Sequence, residues 1–182
     1  LARLRDRRMK IVVVGAGGLG SYVGAVLAEA GHDVTLVVRG EHRTAIEANG
    51  LRVRSHAGDV HVQVGCVGSA AEVEEADLAF LVTKTFSLDE VSDQLRHLVD
   101  RGAQVVSLLN GVTALDRLEA AGISRDALAD GVAYMTSFRV APGVVERKAA
   151  HQRIVLDAGA GAVERVRERS EEHTSELQLP CN

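Results

Sequence analysis

KIVVVGAGGLG, residues 10–20, joins an apolar run, Ile11 to Val14, to a turn in which Gly15, Gly17 and Gly20 satisfy G-x-G-x-x-G. In a strand–turn–helix unit each glycine has its own mechanical task. Gly15 makes the tight turn off the strand, Gly17 lets the backbone approach a pyrophosphate, and Gly20 lets the next helix pack closely on the sheet. The helix start adds free N–H groups and a partial positive charge. Gly15, Ala16, Gly17, Gly18, Leu19 and Gly20 are therefore candidate phosphate-binding residues. Such a hexapeptide also arises by chance, so its flanks decide.

Leu19, Val23, Val26, Leu27 and Ala30 recur at spacings of three and four, the stripe of a helix lying on a sheet, and Gly31 is placed to end it. DVTLVV, residues 33–38, follows as a second β-branched run. Strand, turn, helix and strand thus fit within about thirty residues, the length of a βαβ unit. A site preferring NAD or binding FAD would place Asp or Glu at the end of that second strand, to accept hydrogen bonds from ribose hydroxyls. Here Arg39 stands there, with Arg43 a turn later. A guanidinium at that point attracts a 2′-phosphate and grips its oxygens bidentately, which predicts NADP as cofactor. A solvated strand-end arginine is the alternative reading.

The chain has 182 residues, 46% of them hydrophobic, enough for one well-buried domain, and a formal charge of −4. That charge argues against nucleic acid or anionic membranes as partners. No stretch has the length of an apolar membrane span and no secretory signal is visible. Cys66 and Cys181 suggest neither a zinc site nor a disulfide framework, so a cytoplasmic location is expected. The domain pattern starts at Met9, and LARLRDRR before it reads as upstream sequence translated in frame. At the other end RSEEHTSELQ, residues 169–178, equals the frame translation of a common sequencing adapter, AGATCGGAAGAGCACACGTCTGAACTCCAG. Residues 169–182 are accordingly expected to be an artefact, and residues 9–168 a domain cut off before its natural end.

Within the domain, Glu41 to Ala48 suits a short helix ended by Gly50, and Leu51 to Arg54 with Val60 to Val64 suits a hairpin. His56 and His61 lack acidic or cysteine partners at metal-ligand spacing, so no metal is expected. Leu78 to Val82 is a continuous apolar run of the kind buried on both faces of a parallel sheet, followed by Thr83 and Lys84. Ser87 and Glu90 form a capping-box pattern before a helix whose stripe is Leu88, Val91, Leu95 and Leu98 and whose stop is Gly102. Val105 to Leu109 is a further strand running into Asn110 and Gly111, and Leu115 and Leu118 mark another short helix. Gly131 to Val140 and Gly143 to Lys148 read as two strands joined at Ala141-Pro142, with Arg153 to Leu156 a third, paired antiparallel at the far edge of the sheet. Asp157 to Gly161 reads as loop and Ala162 to Glu168 as a helix start.

This alternation predicts an α/β, Rossmann-like, doubly wound and mostly parallel sheet with antiparallel edge strands. Ligands bind such sheets at the carboxyl ends of the strands. The glycine turn, Arg39, Lys84 and Asn110 all fall at those ends. Lys84 as a solvated loop lysine, and Asn110-Gly111 as plain turn chemistry, remain alternatives.

Together KIVVVGAGGLG, GHDVTLVVR, the VTK around Lys84, the LNGV around Asn110 and GVAYMTSFRVAPGVVE resemble the ketopantoate reductase family, over residues 9 to about 168. The resemblance implies that Gly15 to Gly20 bind the pyrophosphate of NADP and Arg39 its 2′-phosphate. Lys84 would lie on the cofactor loop, and Asn110 near both nicotinamide and substrate. Ser137 falls near another family cofactor contact. The implied reaction is hydride transfer to a small-molecule 2-oxo acid, most naturally 2-dehydropantoate in pantothenate biosynthesis, with a lysine of a helical C-terminal domain as general acid. The lysines here are Lys10, Lys84 and Lys148, and none matches that position, so no catalytic residue is assigned. The helical domain is expected to be missing, an apolar face to be exposed in its place, and the full-length protein to form a homodimer. Two other classes stay open. One is a non-catalytic NADP-binding sensor. The other is an adenylyltransferase of the ubiquitin-activating type, which shares GAGGLGS but places an acid at the position of Arg39.

Overall fold

The computed structural model describes residues 8–55, 58–83, 88–109, 113–148 and 153–156. Lys10–Val14 (β1) is buried on both faces, and its side chains divide between two cores: Ile11 and Val13 on one side, Val12 and Val14 on the other. That alternation makes β1 the spine of the main sheet. It pairs in parallel with Asp33–Val37 (β2) and with Leu78–Leu81 (β6). Gly65–Val67 (β5) extends the sheet beyond β2. Gln104–Ser107 (β7) and Leu128–Tyr134 (β8) extend it in parallel beyond β6, and Arg153–Leu156 (β11) closes that edge antiparallel. The order β11-β8-β7-β6-β1-β2-β5 reverses direction between β1 and β6, the switch point at which doubly wound sheets bind ligands.

Leu88–Val99 (α3) and Ala114–Ala120 (α4) cover one face through Leu88, Leu95, Leu98, Leu115 and Leu118. Gly18–Glu29 (α1) lies on the other face and is itself covered. A second sheet of Leu51–Ser55 (β3), Val60–Val62 (β4), Ser137–Ala141 (β9) and Val144–Arg147 (β10), ordered β4-β3-β10-β9, packs on its outer side. Burial from Gly20 to Leu27 is therefore unbroken rather than a stripe, as expected of a helix enclosed on both sides. Gly40–Asn49 (α2) bridges β2 and β3 and buries His42 and Ile46.

Two expectations need correction. The stretch Gly131 to Val140 is not one strand. It leaves the main sheet after Tyr134 and re-enters the second sheet at Ser137, crossing from one side of α1 to the other. Nor do the strands around Ala141-Pro142 sit at the edge of the main sheet. β10 pairs in parallel with β3, because Leu51, Val53 and Val145 are nearly inaccessible there and their burial on α1 outweighs any edge position. Of the strands expected there, β11 alone lies at an edge of the main sheet. β5 has no counterpart in the sequence reading, being three residues long. Val132 and Tyr134 on β8 and Phe138 and Val140 on β9 are exposed. His56, Ser87, Gly111 and the readings of residues 157–182 lie outside the described residues.

Candidate functional site

The parallel registers place Val37, Val14, Leu81 and Ser107 in one row, so the chain leaves β2, β1, β6 and β7 along a common edge. Gly15 follows β1 with φ +107, a conformation open to glycine, and a Cβ there would meet the Thr83 nitrogen at 2.8 Å. The turn is thus pressed on the end of β6. A Cβ at Gly20 would sit 2.0 Å from the Gly15 carbonyl oxygen, and one at Gly18 would sit 2.3 Å from the Ser137 carbonyl oxygen on β9. At Gly17 nothing lies within 4 Å. Three of the glycines are forced by neighbouring protein, and the fourth faces open space.

That opening is the mouth of α1. Gly17 is its N-cap, with no side-chain cap and no acidic residue in the first turn. The N–H groups that begin an α-helix have no partner inside the helix. Here they face outward with their dipole uncancelled. Ser137, whose backbone lies against Gly18, has its Oγ buried without a hydrogen-bond partner. Open space at Gly17, unused N–H donors and an orphaned hydroxyl fit a diphosphate-bearing group.

Arg39 caps α2 at the end of β2, where its Nε donates to the Gly68 carbonyl at 2.8 Å. Holding Nε steers the remaining fork and reduces the entropy lost on engaging an anion. Arg43 Nε pairs with Glu47 at 2.7 Å, and its Nη1 would lie 3.4 Å from a Cβ at Gly68. Both guanidiniums therefore border the same glycine. Lys84 and Asn110 directly follow Thr83 and Leu109 at the same edge, but both lie outside the described residues, so their side chains are not placed.

Behind the turn runs a hydrogen-bonded series that sequence reading missed. Ser21 and His42 are almost fully buried. The Gly143 N–H donates to His42 Nδ1 at 2.8 Å, His42 Nε2 lies 3.1 Å from Ser21 Oγ, and Ser21 Oγ donates to the Ala16 carbonyl at 3.2 Å. Burial, with Arg139 adding a smaller effect, pushes the His42 imidazole below its ordinary value of 6.5. Partners 101 residues apart leave no periodic signal. Arg147 is likewise buried, over Tyr22 and bonded to Ser55. Lys10 pairs with Glu75 at the opposite, amino edge of the sheet. His61 bonds the Asn49 carbonyl at 2.6 Å, and among the described residues no group of three or more His, Cys, Asp or Glu could hold a metal. No helix among them is long and apolar enough to cross a membrane.

Comparison with known proteins places these features in context. Residues 11–161 match the family described as ketopantoate reductase PanE/ApbA. The uncharacterized oxidoreductase YkpB of Bacillus subtilis is 31% identical over 160 residues, 87% of this chain and 52% of that protein. The crystal structure of 2-dehydropantoate 2-reductase from Geobacter metallireducens is 32% identical with a TM-score of 0.77, covering 90% of this chain and 55% of that one. D-mandelate dehydrogenase in a ternary structure with NADH and anilino(oxo)acetate is 25% identical with a TM-score of 0.76, over 90% and 54%. The chain spans about half the length of these proteins.

Proposed function

The chain belongs to the ketopantoate reductase family, and from that premise we propose that it is the NADP-binding half of a reductase acting on a 2-oxo acid, 2-dehydropantoate being the substrate favoured. The observation that carries the cofactor choice is Arg39, tethered to Gly68 at the end of β2 where an NAD site would hold a carboxylate. The structurally similar D-mandelate dehydrogenase is found with NADH, so the fold alone does not choose between the cofactors.

In this reading the first N–H groups of α1 and the opening at Gly17 receive the pyrophosphate, and the Ser137 hydroxyl gains a partner there. Arg39, with Arg43 beside it, receives the 2′-phosphate. Lys84 belongs to the cofactor loop, and Asn110 to the neighbourhood of the nicotinamide and the substrate. When bound, the cofactor supplies a hydride to the ketone carbon. The residues of this half bind and orient. Of its lysines, Lys10 is at the opposite edge, Lys148 stands 5.8 Å over the Phe138 ring, and Lys84 is given to the cofactor loop; the proton for the developing alkoxide is assigned to the remainder of the longer protein.

Titration of this chain with NADPH and with NADH tests the cofactor reading. Arg39→Asp is expected to weaken NADPH at least about tenfold, the loss of one or two charge-assisted hydrogen bonds, while leaving NADH nearly unchanged. Equal losses for the two cofactors would overturn it. Retention of a lysine general acid in the longer protein favours the reductase over a non-catalytic sensor.

A further inference from the structure

We propose that His42, neutral and carrying its single proton on Nε2, is a positioning residue that locks the phosphate-binding turn to α2 and to the β9–β10 hairpin. The inference rests on the cofactor reading above only for what the locked turn binds. Because Nδ1 accepts the Gly143 N–H, it holds no proton. The ring proton is then on Nε2 and is donated to Ser21 Oγ, whose own proton goes to the Ala16 carbonyl. One direction satisfies every group: Gly143 to His42 to Ser21 to Ala16.

Each link belongs to a different part of the site. Ala16 lies between Gly15 and Gly17. His42 is on the helix capped by Arg39. Gly143 turns the hairpin whose first strand rests on Gly18, and it does so at φ +73 against Ala45 of α2. A second proton would set Nδ1–H head-on against the Gly143 N–H, two donors without an acceptor. α2 and the hairpin must then part, and with them Arg39, Ser137 and the Ala16 carbonyl.

The charges around the ring oppose that proton. From β9 the Arg139 cation acts on it, from α1 it meets Ser21, and from the hairpin turn it meets Gly143, neither of which titrates. On α2 itself Glu41 is exposed and Arg43 is paired with Glu47.

The experiment is NADPH binding to the full chain, followed by fluorescence from about pH 8 down to about pH 5.5, for wild type, His42→Gln and Ser21→Ala. NADPH titrates at its own 2′-phosphate in this range, so the profile is read as the difference between proteins. Gln keeps a donor near the Nε2 position and cannot ionise. Because it leaves the Gly143 N–H without its acceptor, it should bind about fivefold more weakly than wild type at pH 8, and it should lose about fivefold less on acidification; Ser21→Ala should be weaker by about fivefold throughout. Nitrogen NMR without NADPH supplies an independent readout. His42 should show an unprotonated Nδ1 at pH 8, and the Gly17 and Gly143 amides should shift with its titration. Superimposable pH profiles for wild type and His42→Gln, a proton on Nδ1 at pH 8, or a Gly17 amide indifferent to His42 would each overturn the proposal. No NADPH binding at pH 8 alongside the expected NMR signals would overturn the cofactor reading and leave the lock supported.

Discussion

The glycines of the turn look interchangeable in sequence, yet their surroundings assign them different consequences. At Gly20 a methyl group would overlap the Gly15 carbonyl, and at Gly18 it would overlap the backbone of β9. Neither contact can yield without moving main chain. Gly17 has ordinary dihedrals, φ −77 and ψ −157, and empty space around it. Gly20→Ala should therefore lower unfolding free energy by about 3 kcal/mol or more. Gly17→Ala should change it by no more than about 0.5 kcal/mol while weakening NADPH at least about tenfold, because the methyl occupies the approach of the pyrophosphate. Urea unfolding and cofactor titration of the two variants separate folding glycine from binding glycine; a Gly17→Ala protein that binds normally contradicts the assignment.

At the scale of elements, the main sheet is legible because its determinants are local. The runs at Ile11, Val34, Leu78 and Val105 and the glycine stops between them predict β1, β2, β6 and β7 within a residue or two. The stripes of α3 and α4 are read equally well, since each helix buries one side only. α1 is the informative exception. Its reading as a one-sided helix fails because Tyr22 and Ala25 are buried as deeply as Val23 and Val26, and nothing local announces a second sheet on the outer face. That sheet is assembled from two segments far apart in the chain, and β3 and β10 alternate in a way any half-buried strand would. Of the candidate site, the glycine turn and Arg39 were legible from motif and position. The Ser21–His42–Gly143 series was not, because a buried serine or histidine has no periodicity to betray it.

For the molecule as a whole, two buried imidazoles link stability to pH. His32 accepts the Met9 N–H at 3.3 Å on Nδ1, and burial lowers its pKa from 6.5, as it does that of His42. In the unfolded chain both rings protonate near that ordinary value, whereas in the folded chain they resist until lower pH. The unfolded state thus binds more protons, and stability is full above about pH 6.5 and lost as pH falls below it. Melting temperature should drop between about pH 7.5 and about pH 5.5, and His42→Gln should drop less; a flat profile in wild type would show that the rings ionise freely. The parallel pairing of β3 with β10 carries a consequence of another kind. Its partners Ser55 and Arg147 are 92 residues apart, and such a closure is made only after intervening structure has shortened the loop. Pulse-labelled hydrogen exchange during refolding should protect β1, β2 and β6 before β3 and β10, and simultaneous protection would count against this order. The sheet that presses on the glycine turn is then the last to arrive, so the main sheet stands before the chain possesses a finished grip for a ligand.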